Sequence, residues 1–119
     1  MAAGLRENQF TIHNADGGST AQYTETQSAI SEGATVLLLH ALDLTTGVVI
    51  ESNAASHGVM VIDYDRPTLG GSRSHYVSFD NVKVGGLIGS GLLSCLRDWN
   101  VAAAHLYVMR GAPTDHNAT

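Results

Sequence analysis

The sequence predicts an α/β domain: a doubly wound, mostly parallel sheet in three αβα layers. Strand-length apolar runs alternate with helix-length stretches in the order β, α, β, α, β, short β, α, β. That alternation is the pattern of parallel strands joined by right-handed crossovers. The run ATVLLLH at 34–40 is almost wholly apolar, so both faces of that strand are expected to be covered. With 44% hydrophobic and 14% charged residues, the 119-residue chain can fold around one core and is too short for two lobes.

The elements follow in order. Phe10 to His13 reads as a short strand, and Asn14 to Ser19 as a glycine-rich turn. A helix is predicted from about Thr20 to Glu32, with Ser19 or Thr20 at its cap, Gln22 as the capping-box partner and Gly33 as its stop. Its apolar face is weak (Ala21, Ala29, Ile30, Tyr23), so packing must hold it. After the strand Ala34 to His40 comes a helix from about Thr46 to His57, ended by Gly58, and then a buried strand from Val59 to Tyr64. Pro67 to Ser74 is a loop and His75 to Phe79 a short strand. Asp80 or Asn81 caps a helix running to about Asp98, whose glycines at 85, 86, 89 and 91 are expected to let it lie close to a sheet. Ala103 to Met109 reads as the last strand.

The net charge of −5 argues against a nucleic-acid partner, which clustered Lys and Arg would mark. No apolar run approaches the roughly 18 residues of a membrane span. The opening MAAGLRENQF shows no signal-peptide pattern. Cys95 stands alone and reads as a small apolar filler on a helix.

The chemistry concentrates at Asp65 and Arg66. They follow the buried strand GVMVIDY at its carboxyl end, where open α/β sheets bind polar ligands. A carboxylate acceptor beside a forked donor suits sugar hydroxyls. Arg66 is expected to hold Asp65 ionised. Asp63 is expected to point to the same side as Asp65, but His40 and His75 have no metal-ligand spacing, so no metal is predicted. Ser78, Asp80 and His75 hold the atoms of a nucleophilic triad without a nucleophile elbow. The glycines of the long helix lie inside it and make no phosphate loop. Trp99 reads as a core or interface anchor. No catalysis and no cofactor are predicted.

The segments NADG (14–17), ISEGATVLLL (30–39), HGVMVIDYDR (57–66), YVSFDNVKVG (76–85) and GAPTDHNA (111–118) together resemble the amino-terminal lobe of type I periplasmic sugar-binding proteins, above all the xylose-binding branch. The resemblance implies a truncated lobe spanning 1–119, without the family's first strand and without the second lobe. It implies binding of a monosaccharide, a pentose or hexose, for an ABC permease, by a periplasmic protein or an extracellular lipoprotein. It implies that Asp65, Arg66 and Asn117 contact the sugar. The effector-binding or oligomerisation lobe of a LacI-type regulator is the alternative; it would need a basic helix-turn-helix. In the family's order the missing strand lies between those at Phe10 and Ala34, so unpaired edges predict a homodimer or a rearranged sheet.

Overall fold

The computed structural model describes residues 4–113, built around three parallel strands. The Asn14 and Asp16 side chains close the first turn on each other, Asn14 Nδ2 donating to Asp16 Oδ1 (2.9 Å). Helix α1 (Ser19–Ser31) follows, then β1 (Val36–Leu39), α2 (Leu44–Ser56), β2 (Met60–Tyr64), β3 (His75–Val77) and α3 (Asn81–Asp98). The sheet order is β1-β2-β3, with Val36 opposite Met60, Leu39 opposite Asp63 and Tyr64 opposite Val77.

Helix α2 starts two residues earlier than the sequence predicts because Asp43 caps it. The Asp43 carboxylate accepts from the Thr46 amide and hydroxyl, both at 2.9 Å, satisfying an amide that the helix itself cannot. Ser19 donates to the same carboxylate, so the residue expected to cap α1 ties α1 to the cap of α2. Gln22 likewise spans elements rather than closing a capping box: its Nε2 donates to the His40 carbonyl (2.9 Å) and its Oε1 accepts from the Leu42 amide (3.1 Å). Both helices end on left-handed glycines, Gly33 (φ 95°) and Gly58 (φ 72°), as the sequence predicts.

Gly47, Ile50, Glu51 and Ala54 form the buried stripe of α2 at helical spacing. With Leu39, Ala41, Val59 and Val61, the apolar members of that stripe make the core, and Tyr23, Ile30 and Leu37 pack at its edge.

The parallel α/β architecture is as expected, but the third layer is not built among the described residues. Strand β1 alternates instead of being covered on both sides: Leu39 is buried while Leu38 is 69% exposed. Met60 and Tyr64 are exposed on β2. The glycines of α3 do not bring it against the sheet, since a Cβ built at Gly85, Gly86, Gly89 or Gly91 would meet nothing within 4 Å. No residue of α3 is buried; Leu87, Ile88, Leu93, Cys95 and Trp99 are exposed on it or just beyond it. The Cα radius of gyration, 18.8 Å, exceeds the roughly 14 Å of a compact domain this size.

Two expected strands are absent. Phe10–His13 and 103–109 have strand-like composition yet join no ladder, and Ile12 and Tyr107 stand in solvent. Without a neighbour to take their amides and carbonyls, β propensity alone does not order them.

Hydrogen bonds from Ser19 and Thr46 hold the Asp43 carboxyl below its ordinary 3.8. A depressed carboxyl contributes stability above that value and loses it as pH falls through the folded-state pKa. Asp43→Ala is expected to cost about 1 kcal/mol in urea denaturation at neutral pH. Asp43→Asn is expected to keep most of the cap while removing this acid-range dependence. Unchanged stability in Asp43→Ala would contradict the capping role.

Candidate functional site

Strand β2 ends at Tyr64, and the backbone turns at once. Asp65 takes φ 65°, and the Arg66 amide donates to the Tyr64 carbonyl at 2.7 Å, closing a γ-turn in its rarer, strained form. The surroundings over-determine this turn. The Asp65 amide donates to the Val77 carbonyl (2.9 Å), and the Asp65 carbonyl accepts from the Tyr76 hydroxyl (3.0 Å) and the Ser78 hydroxyl (2.9 Å). Such strain persists only where neighbours impose it, and it clusters at functional sites.

The turn aims both side chains at the end of β1. His40 Nε2 lies 3.2 Å from Asp65 Oδ2, and Arg66 Nη1 donates to the Leu42 carbonyl at 3.4 Å. The rim is partly open, with the His40 and Asp65 side chains 46% and 30% exposed, and Arg66 is half-buried. His40, Asp65 and Arg66 thus gather where adjacent parallel strands end, where α/β sheets place ligands.

Asp63 does not join them. The strand stops before Asp65, so the alternation expected to put both carboxylates on one side does not extend that far. Asp63 is buried on the α2 side, accepting from the Thr68 amide at 2.6 Å, with Arg73 Nε 3.8 Å away. Among the described residues, no three His, Cys, Asp or Glu side chains gather as metal ligands. Ser78, whose hydroxyl could serve in a nucleophilic triad, instead supports the Asp65 carbonyl. A surface groove of about 440 Å³ lies between α1 and α2, is lined by Thr24, Gln27, Ile30, Asn53 and His57, and has none of the rim's side chains.

The family described as a periplasmic binding protein domain matches residues 1–119. The chain belongs to that family. It is 30% identical over 109 residues to the D-xylose-binding periplasmic protein of Haemophilus influenzae, covering 90% of this chain and 31% of that protein. It resembles the crystal structure of an ABC transporter solute binding protein from Clostridium phytofermentans with bound beta-D-glucose (TM-score 0.75, 26% identity, 89% of this chain and 33% of that one). It also resembles a carbohydrate transporter solute binding protein from Chloroflexus aurantiacus in complex with D-glucose (TM-score 0.74, 29% identity, 87% and 30%). The chain therefore spans about a third of the length of the relatives it matches.

In this periplasmic binding protein domain, Asp65 and Arg66 stand on the described rim, and Asn117 lies outside the described residues. Sequence reasoning missed His40 at the rim and Glu51 beneath it. Both left a signal: an imidazole directly after the apolar run VLLL, and an acid on the apolar stripe of a helix. The hydroxyls of Tyr76 and Ser78 left none, because their role depends on the left-handed turn at Asp65.

Left-handed backbone costs a residue with a Cβ roughly 1 kcal/mol relative to glycine. Asp65→Gly is accordingly expected to be the more stable partner of Asp65→Ala by about that much in urea unfolding. Equal midpoints would show that the turn is unstrained.

Proposed function

We propose that this chain is the sugar-contacting part of a non-catalytic monosaccharide-binding protein, with Asp65, Arg66 and Asn117 hydrogen-bonding the ligand. The observation that carries this reading is a half-buried carboxylate and guanidinium, in succession, at the end of the central strand of a periplasmic binding protein domain. The Asp65 carboxylate accepts from two neighbouring hydroxyls, and the Arg66 fork donates to hydroxyl or ring oxygens. His40 orients the Asp65 carboxylate, and the strained turn fixes it in advance, so little ordering is left for the ligand to bring about. An epimer that leaves either group unpaired is rejected.

The relatives named for D-xylose, and those holding D-glucose, support a pentose or hexose. In the whole protein the loaded sugar passes to an ABC permease, and the protein works in the periplasm or as an extracellular lipoprotein. Two lobes closing by a hinge would bury the sugar there. This chain, about a third of such a protein, offers one wall, so a sugar on it stays half in water. The exposed apolar residues Leu38, Met60 and Tyr64 of the sheet support association with a second copy.

Titration of D-xylose and D-glucose into the isotope-labelled chain, followed by amide NMR, tests the reading. Millimolar affinity is expected, with shifts centred on His40, Asp65 and Arg66, and these shifts are expected to vanish in Asp65→Asn and Arg66→Ala. Silence of the rim at saturating millimolar sugar, or micromolar binding elsewhere on the chain, would contradict it.

A further inference from the structure

Beneath the rim lies a second acidic residue that the binding reading does not use. Glu51 is 0% exposed on the core stripe of α2, and neither carboxyl oxygen has a hydrogen-bond partner. Asp63 Oδ1 and Thr68 Oγ1, equally buried, have none either. The loop after the rim is pressed onto this cluster: a Cβ on Gly71 would lie 1.9 Å from Glu51 Oε2. The Thr68 amide donates to Asp63 Oδ2 at 2.6 Å, Arg73 Nη1 donates to the Thr68 carbonyl, and the Ser74 amide donates to the Val61 carbonyl at 2.7 Å. The loop is thereby hydrogen-bonded to β2 at Thr68 and Ser74 and packed against α2 at Gly71.

Charge balance and the available hydrogens fix the state of the cluster. The charged groups facing Glu51 are Asp63 from β2 and Arg73 from the loop, and α2 carries no other charged residue. Arg73 balances Asp63. An ionised Glu51 would be a second buried carboxylate without a counter-ion, which is strongly unfavourable. Two ionised carboxylates would also leave three buried carboxylate oxygens, Glu51 Oε1 and Oε2 and Asp63 Oδ1, with the Thr68 hydroxyl as the one unpaired side-chain donor among them. A proton on Glu51 removes the excess charge and supplies a second donor.

We propose that Glu51 carries a proton beside the Asp63 carboxylate and that the two act as a positioning pair, clamping the Pro67–Ser74 loop so that Asp65 and Arg66 are presented at the rim. The sugar reading enters only in saying what the pair positions. Burial pushes the Glu51 carboxyl above its ordinary value, and the Asp63 carboxylate adds to that push; the Thr68 hydroxyl works the other way. Because the folded-state value is raised, stability falls as pH rises from the unfolded-state pKa through the folded-state one.

The test is a carboxyl and amide NMR titration of the 119-residue chain without sugar, in wild type, Glu51→Gln and Glu51→Ala. Glu51 is expected to titrate above the ordinary glutamate range, with the amides of Thr68, Asp65 and Arg66 shifting at the same midpoint. Glu51→Gln, which keeps the shape and a donor, is expected to hold those amides at their low-pH positions throughout and to abolish the loss of stability on raising pH. Glu51→Ala is expected to displace them at every pH. Wild type and Glu51→Gln suffice if Glu51→Ala does not fold. An ordinary Glu51 titration, or rim amides that ignore it, would overturn the proposal, as would Glu51→Gln displacing the rim amides from their low-pH positions. Because no sugar is present, failure here leaves the sugar titration to stand or fall by itself.

Discussion

The hydrogen bond from the Thr68 amide to the buried Asp63 carboxylate, 2.6 Å long, is the contact on which the rest of this structure turns. It lies on the covered face of β2, in a setting where a charge-assisted bond is strong and an unmade one is costly. By fixing Thr68 five residues after Asp63, it forces the chain to reverse within Tyr64–Pro67. That reversal makes Asp65 left-handed, and the loop then returns so that Ser74 meets Val61 and β3 pairs with β2.

The strain of the turn is balanced from outside it. Tyr76 and Ser78, delivered by β3 and the residue after it, both donate to the Asp65 carbonyl, so the short third strand serves as a brace for the rim. On the other side, Asp43 and Gln22 tie α1 and the start of α2 to the chain after β1, where His40 and the Leu42 carbonyl face Asp65 and Arg66. The rim is therefore held from two strands, as a site reading hydroxyl geometry requires.

The strongly periodic and well-punctuated parts of the fold were legible in the sequence. Gly33 and Gly58 marked helix ends, VLLL and MVIDY marked strands, and Asp80 or Asn81 marked the start of α3, where Asp80 is the cap, because each signal is local. Strand pairing was not legible: Phe10–His13 and 103–109 have strand composition, but a ladder needs a neighbour that no local pattern supplies. Long-range side-chain bonds were equally hidden, which is why the local pattern makes Ser19 and Gln22 caps of α1 although they tie to Asp43 and His40. At the site, Asp65 and Arg66 were visible from their place after an apolar strand. Strict alternation misplaces Asp63 because it does not survive a left-handed residue, whereas Glu51 has a local signal, an acid at the spacing of Gly47, Ile50 and Ala54.

Native-state hydrogen exchange at the Thr68 amide tests this account most directly. If the Asp63 bond anchors the loop, that amide exchanges as slowly as the paired amides of β2, although it lies outside every strand. Exchange as fast as at the exposed Gly70 amide would mean that the loop is not held, and the presentation of Asp65 and Arg66 would lose its cause.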